Sequence, residues 1–292
     1  MGPLKKGLLF SIALWFSAGV AAAQEVVAVL SSQLQFYQEA FQAFQQNLGH
    51  PVSPFTLPSE EPRTTQETRL VVAFGARAAL RRYPEHAVLI YCMAPGLRMP
   101  RDRRAATIKV SMSPRAEALI PRLREIQPKL TRLLVFWVSE VMGDYLWELK
   151  RAARGLGLEI QDERLEGPQD LPGALRGLNQ KPEALWLPPD PLLLNAESFV
   201  ILKEYSWSQK VPLYAPSEGF AEKGATVSIA VSFAALGQAA ATAARQALSG
   251  SAATGVVYPD SVTVTVNLSA ATGCGLSIPP ETLRKADKVL YQ

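Results

Sequence analysis

The chain has 292 residues, of which 48% are hydrophobic and 19% charged, and its formal net charge is +4. This composition supports a large buried core and excludes an intrinsically disordered chain. The length allows one large domain or two lobes of ordinary size.

The N-terminus has the pattern of a secretory signal peptide. Lys5 and Lys6 precede an apolar run over 7–20, and the small residues 21–23 offer a cleavage site before Gln24. The run is shorter than the ~20 residues that a membrane-spanning helix needs. We therefore predict that residues 1–23 are removed and that the mature protein is soluble and exported.

From residue 26 onward, predicted strands and helices alternate. We predict strands at 26–30, within 51–69, 70–74, 87–91, 106–110, 132–138, 158–161, 184–187, 211–215, 225–231 and 262–266. We predict helices over 34–48, 146–156, 170–179, 233–248 and 279–290. Three further helices are predicted with one bound each. One begins after Gly75, one begins after Ser113 and is interrupted at Pro121, and one ends at Gln209.

This alternation predicts an α/β fold with parallel sheets. The segments 106–110, 225–231 and 262–266 are interpreted as crossings between two Rossmann-like lobes, which a multi-strand hinge joins. The predicted lobe 1 comprises residues 24–112 and 233–259, and the predicted lobe 2 comprises 113–232 and 260–292.

Polar residues follow several of the apolar runs, most clearly Asp190 after 184–187 and Ser217 and Glu218 after 211–215. In open α/β sheets, ligands bind outside the carboxyl ends of the strands. The candidate ligand-binding residues are Ser31, Ser32, Gly75, Ala76, Arg77, Ala94, Ser139, Glu140, Asp190, Ser217 and Glu218.

Helix N-termini at these positions present unpaired N–H groups that suit a carboxylate, and Asp190 or Glu140 suits an ammonium group. The alternative is that Ser31, Asp190 and Ser217 only cap the helices that follow them.

Other classes of function have little support in the sequence. Two histidines and no Cys-x-x-Cys pair are too few for the usual metal sites, and no cofactor is predicted. The basic cluster Arg98, Arg101, Arg103 and Arg104 lacks interleaved aromatic residues, so we predict no nucleic-acid partner. Nucleophile-elbow and phosphate-loop patterns are absent, and we predict that the protein is not an enzyme.

The two cysteines are predicted to be free thiols. Cys92 belongs to an apolar run that is typical of a buried strand, and Cys274 lies between two glycines. A disulfide between them is the alternative that export permits.

The second half resembles the tryptophan/tyrosine-type substrate-binding proteins of ABC transporters, which have the type I periplasmic binding fold. The resemblance covers about 113–290. It is carried by the segments 184–190, 211–218 and 223–225, by Leu236-Gly237-Gln238 before an Ala-rich helix, and by 266–279.

Lobe 1 departs from the family's pattern. Where relatives carry a full helix and a Gly-Thr turn, this chain has the Pro-rich stretch 58–62 and Gly75-Ala76-Arg77. If that turn aligns, Arg77 faces the cleft in place of a small hydroxyl.

The resemblance implies a periplasmic solute-binding component of an ABC uptake system. It would be a monomer that captures an amino-acid-like or other small organic solute by hinge closure and delivers it to an ABC permease. The alternative is a solute-binding sensor or accessory protein that docks on a signalling receptor or an envelope complex.

Overall fold

The structure is a computed structural model that describes residues 25–99, 106–251 and 255–291. The predicted signal peptide and the arginines at 101, 103 and 104 lie outside the described residues. Within the described part of the chain, no helix is long and apolar enough to cross a bilayer.

The strands are β1 (Val26–Leu30), β2 (Pro54–Thr56), β3 (Leu70–Phe74), β4 (Val88–Cys92), β5 (Thr107–Val110), β6 (Arg132–Trp137), β7 (Glu159–Arg164), β8 (Ala184–Trp186), β9 (Leu213–Ala215), β10 (Val227–Ala230), β11 (Gly255–Val257), β12 (Thr263–Asn267) and β13 (Lys288–Leu290).

The helices are α1 (Gln35–Leu48), α2 (Ala76–Ala79), α3 (Ala116–Ile126), α4 (Gly143–Arg154), α5 (Leu171–Arg176), α6 (Ala196–Gln209), α7 (Glu218–Glu222), α8 (Phe233–Leu248), α9 (Leu268–Gly273) and α10 (Pro280–Lys285). Short 3-10 turns span Glu140–Met142 and Pro168–Asp170.

Two sheets organise the molecule, which confirms the predicted α/β fold with two lobes. The sheet of lobe 1 has the order β11-β5-β4-β3-β1-β2, and all its neighbours are parallel. The sheet of lobe 2 has the order β13-β12-β10-β9-β8-β6-β7, and only the β10–β12 pair is antiparallel.

One face of the lobe 1 sheet packs against α1 and α8, whose residues form a single buried cluster with β1, β3 and β4. The spacing of Phe41, Phe44 and Leu48 buries one side of α1, and Gly49 ends the helix in the left-handed conformation. The other face is covered by α2 and by irregular segments that supply Leu57, Ala87 and Ala94.

Lobe 2 has helices on both faces of its sheet. Residues of α3, α4 and α9 pack on one face, and residues of α5 and α6 pack on the other. Both faces are therefore sealed from water, as a parallel sheet requires.

Three chain segments connect the lobes. They lie between β5 and α3, between β10 and α8, and between β11 and β12. We propose that the lobe boundaries fall in these segments, near the positions predicted from the sequence.

The prediction that the strands at 106–110, 225–231 and 262–266 themselves cross between lobes was wrong. β5 pairs along its length with β4 inside lobe 1, and β12 pairs with both β10 and β13 inside lobe 2. The crossings are made by the irregular residues that follow or precede these strands, because the strands' hydrogen bonds are used within their own sheets.

The predicted helix over 279–290 is also wrong in its second half. The helix ends at Lys285, Ala286 is extended, and Lys288–Leu290 forms a strand parallel to β12. The Asp287 carboxylate accepts a hydrogen bond of 2.7 Å from Val264 N, which ties this last strand to the sheet.

Smaller corrections concern element bounds. Pro121 does not interrupt α3, which runs on to Ile126. The predicted strand at 158–161 extends to Arg164, the helix at 170–179 ends at Arg176, and β11 was not predicted.

Candidate functional site

A cavity of about 830 Å³ lies between the lobes, beside the connecting segments. Its lining comes from the loop that follows β4, from β5 and β11, from the connecting residues Ser111–Ser113 and Tyr258, and from the start of α4 in lobe 2. This volume is in the range of small-molecule sites in proteins.

The lobe 1 wall lies on the face of the sheet away from α1 and α8, toward the edge formed by β5 and β11. In β5, Ile108 and Val110 are buried toward α1 and α8, so the alternation of the strand places Thr107 and Lys109 on the opposite face. Strand pairing sets Lys109 beside Tyr91 on β4 and Val256 on β11, and all three line the cavity.

Lys109 is half-buried on this wall. Burial lowers the pKa of its ammonium group, and the positive charge of Arg98 lowers that pKa further. Both causes disfavour the charged form of the lysine.

The lobe 2 wall is positioned by Tyr145 in α4. Its hydroxyl donates a hydrogen bond of 2.8 Å to Pro114 O in a connecting segment, and its ring centroid lies 5.9 Å from that of Tyr258. Burial raises the pKa of Tyr145 well above its ordinary value, and Tyr258 and nearby carboxylates raise it further. The phenol is therefore a neutral donor that fixes α4 against the connecting segment.

The connecting segments are themselves braced. Ser113 N donates to Ser111 Oγ at 3.0 Å, and Arg115 pairs with Asp260 at 3.2 Å, which joins two of the three segments. Ser111 and Ser113 are both buried at the floor of the cavity.

The two lobes touch at one rim of the cavity. Arg98 of lobe 1 pairs with Glu140 of lobe 2 at 3.5 Å, and Arg164 approaches the same carboxylate at 3.5 Å. A Cβ on Gly96, which has φ +73°, would lie 2.8 Å from the Pro191 ring. The loop after β4 therefore meets lobe 2 closely.

The predicted lobe 1 residues other than Ala94 follow the ends of β1 and β3 and do not line the cavity. Ser31 Oγ accepts a hydrogen bond of 2.9 Å from Ala78 N, and a Cβ on Gly75 would lie 2.5 Å from that Oγ. Ser32 is half-buried, Ala76 begins α2, and Arg77 is exposed. Ser31 thus joins the end of β1 to α2, and Ala94 alone of the predicted residues lines the cavity.

Among the predicted lobe 2 residues, Asp190 is fully buried. Its Oδ2 accepts hydrogen bonds of 2.8 Å from Val138 N and Ser139 N, and its Oδ1 accepts one of 2.8 Å from Leu192 N. The cap of the next helix is Asn195, so the alternative that Asp190 caps it is wrong. The carboxylate instead ties the end of β6 to the loop after β8, of which Pro189 lines the cavity.

The remaining predicted residues are more exposed. Ser139 precedes the turn at Glu140–Met142, and Glu140 makes the rim ion pairs. Ser217 precedes α7 without a capping side-chain hydrogen bond, and Glu218 pairs with Lys288.

Several lining residues were missed by the sequence reasoning, notably Tyr91, Lys109, Met112, Tyr145 and Tyr258. A signal for Lys109 was present, since the alternation of Thr107-Ile108-Lys109-Val110 places a charge on the side away from the core. Nothing local marks Tyr258, whose position depends on the third connecting segment.

A model of the family described as ABC transporter substrate binding protein matches residues 110–290, well over half of the chain. The chain belongs to this family. The match begins at the end of β5, so the sequence of lobe 1 before it is less typical, as the Pro-rich stretch 58–62 indicated.

Solved structures extend the likeness to lobe 1. An ABC domain in complex with L-Trp from Streptococcus pneumoniae is 17% identical with a TM-score of 0.59, covering 91% of this chain and 99% of that chain. The ligand-free, open structure of a substrate-binding protein with adhesive properties from Clostridium difficile is 15% identical with a TM-score of 0.61, covering 91% and 99%.

A conserved domain protein from Vibrio cholerae is 14% identical with a TM-score of 0.58, covering 90% and 98%. At these identities the comparison shows the fold, which is that of type I periplasmic binding proteins. A comparison with curated protein sequences finds no significant match.

Proposed function

We propose that this substrate-binding protein is the periplasmic solute-binding component of an ABC uptake system. The observation that carries the proposal is the cavity of about 830 Å³ between two lobes that three chain segments connect. Such a cavity can change its volume by rotation about the connecting segments while each lobe stays rigid.

Closure of the lobes would be driven by the solute itself. A ligand shifts an equilibrium between open and closed forms only through contacts that differ between them. The wall formed by Tyr91 and Lys109 belongs to lobe 1, and the wall formed by Met142 and Tyr145 belongs to lobe 2. A solute that touches both walls therefore binds the closed form more tightly.

We propose a ligand contact at Ala94, with Ser139 and Glu140 at the rim and Asp190 as a positioning residue. The remaining candidates stay predicted ligand contacts for a solute that extends along the strand ends. They are Ser31, Ser32, Gly75, Ala76, Arg77, Ser217 and Glu218. The three hydrogen bonds that Asp190 accepts occupy both its carboxylate oxygens. We therefore propose that Asp190 positions the loop after β8 and does not contact the solute itself.

Export and delivery to a permease complete the proposal. The predicted signal peptide lies outside the described residues, and N-terminal sequencing of protein from the periplasmic fraction should begin at Gln24. Retention of Met1 would contradict export by cleavage.

A metabolite library screened by thermal shift tests the binding function. A solute at ~100 times its dissociation constant should add ~2.7 kcal/mol to the free energy of unfolding. Small-angle scattering with that solute should give a smaller radius of gyration. A library without any stabilising compound would contradict the proposal.

A gene deletion then separates uptake from sensing. Loss of the gene should abolish import of the labelled solute by cells. Import that continues while a transcriptional response to the solute disappears would favour the sensor alternative.

A further inference from the structure

Lys109 lies inside the cavity without an ion-pair partner in the part of the chain that the structure describes. Among the described residues, no carboxylate forms an ion pair or hydrogen bond with its ammonium group, and the charge that acts on it most is that of Arg98. A partly desolvated ammonium without a partner is unfavourable, so a functional reason for its position is expected.

Two other charged residues of the described chain line the cavity, Arg98 and Asp144. Arg98 is paired with Glu140 at 3.5 Å at the rim. Asp144 lines the cavity in the first turn of the 12-residue helix α4, where the partial positive charge of the helix N-terminus stabilises a carboxylate. Among the described residues, Lys109 is therefore a cation that faces the cavity with neither an ion pair nor a helix terminus to stabilise its charge.

The rest of the lining is mixed. Apolar and aromatic side chains such as Leu97, Met142 and Tyr91 line the cavity together with the hydroxyl side chains of Ser111 and Ser113. The apolar side chains suit the hydrocarbon part of a solute, and the hydroxyls offer hydrogen bonds to its polar groups.

We propose that Lys109 binds the carboxylate of the solute, and that the cavity selects organic anions. This inference rests on the proposed function, since it assigns the chemical class of the solute in the same cavity. A bound carboxylate would supply the counter-charge that Lys109 lacks among the described residues and would favour its charged form.

The test uses pairs of compounds that differ only in charge. 3-Phenylpropionate and decanoate are each compared with their primary amides by calorimetric titration of the mature protein. We expect each acid to bind at least tenfold more tightly than its amide, which corresponds to ~1.4 kcal/mol.

Three variants locate the effect. Lys109→Met should reduce the acid-to-amide ratio to about one, and Lys109→Arg should keep most of it because the charge remains. Lys129→Met, which removes an exposed lysine before β6, should leave the ratio unchanged. If Lys109→Met fails to fold, the acid-to-amide ratios of the wild type and of Lys109→Arg still test the role of the charge. A wild-type ratio near one would overturn the proposal.

The library screen separates this inference from the proposed function. Stabilising compounds should be mainly organic anions. Stabilisation by neutral or cationic solutes that bind Lys109→Met equally well would overturn the role of Lys109 and leave solute binding intact. A screen with no stabilising compound would instead overturn the proposed function.

Discussion

Lobe 1 and lobe 2 cover their parallel sheets in different ways. In lobe 2, helices pack on both faces. In lobe 1, α1 and α8 cover one face, and the other is closed by the one-turn helix α2 and irregular chain. The strands are nevertheless buried in both lobes.

The comparison shows that a parallel sheet must be shielded from water on both faces, and that irregular chain can provide this shielding as well as helices. Leu57, Ala78 and Ala87 close the second face of lobe 1 with buried apolar side chains. One consequence is that the regular packing of lobe 1 is concentrated in the α1–α8 pair. Another is that this cover lies over β1, β3 and β4, while residues of β5 and β11, including Lys109, line the cavity.

The largest effect is expected where α1 and α8 touch. A Cβ on Gly237 would lie 2.9 Å from Phe44 N and closer still to Ala40 O, and backbone atoms cannot move aside easily. Gly237→Ala should therefore cost at least ~3 kcal/mol of the free energy of unfolding, since overpacking outweighs the higher helix propensity of alanine. Urea unfolding measures the cost.

Gly173→Ala is the matched control. Gly173 lies in α5 of lobe 2, and a Cβ there meets nothing within 4 Å. The substitution should stabilise the protein by up to ~1 kcal/mol through helix propensity. Equal effects of the two substitutions would contradict the view that lobe 1 depends on the α1–α8 contact.

The next effect tests how lobe 2 holds its strand ends at the cavity. Asp190→Asn places an amide N–H₂ where an oxygen now accepts a backbone N–H, and leaves at least one buried donor unsatisfied. We expect a loss of ~2–3 kcal/mol, typical of hydrogen bonds to a buried charge. Thermal melting and titration of the same protein separate stability from affinity. Weaker binding at an unchanged melting temperature would instead assign Asp190 to direct ligand contact.

A third, smaller effect is expected at the opposite end of the same strands. Glu183, just before β8, accepts hydrogen bonds of 2.7 Å from Thr131 N and Oγ1 and one of 3.3 Å from Arg132 N. Glu183 fixes the start of β6 by accepting backbone hydrogen bonds, as Asp190 fixes the end of that strand. The side chain of Glu183 is 31% exposed, however. Glu183→Gln should cost ~1 kcal/mol.

Glu183 also predicts a pH dependence. Burial raises the pKa of its carboxyl, but the hydrogen bonds from Thr131 and Arg132 outweigh burial and hold the pKa below its ordinary value. The stability it contributes is therefore present above its unfolded pKa of ~4.3 and is lost as pH falls through the folded pKa. The cost of Glu183→Gln should shrink below pH 4, whereas Glu163→Gln, at an exposed position on β7, should have little effect at any pH.

The sequence predicted the fold well where periodicity or long apolar runs exist. The spacing of Phe41, Phe44 and Leu48 predicted α1, and the runs at 70–74 and 132–138 predicted central strands. It failed for β13, since three residues after a helix are too short for any period to appear.

The candidate site was predicted less completely than the fold. Strand ends were the right region, but which of them open onto the cavity depends on the connecting segments. The role of Asp190 could not be predicted, because its partners Val138 and Ser139 lie about fifty residues away. Lys109 was missed because its strand was interpreted as a crossing and not as a wall.

The smallest expected effect concerns the contact that joins the two lobes. The side chains of Arg98 and Glu140 are 55% and 68% exposed, and exposed ion pairs typically contribute 0.2–1 kcal/mol. A double-mutant cycle with Arg98→Ala and Glu140→Ala should give a coupling energy in that range, which 1 M salt should largely remove because the Debye length falls to ~3 Å. Closure would then depend on the solute and not on the rim. A coupling above ~2 kcal/mol that persists in salt would mean that the rim pair itself holds the lobes closed, and the solute-driven closure proposed above would fail.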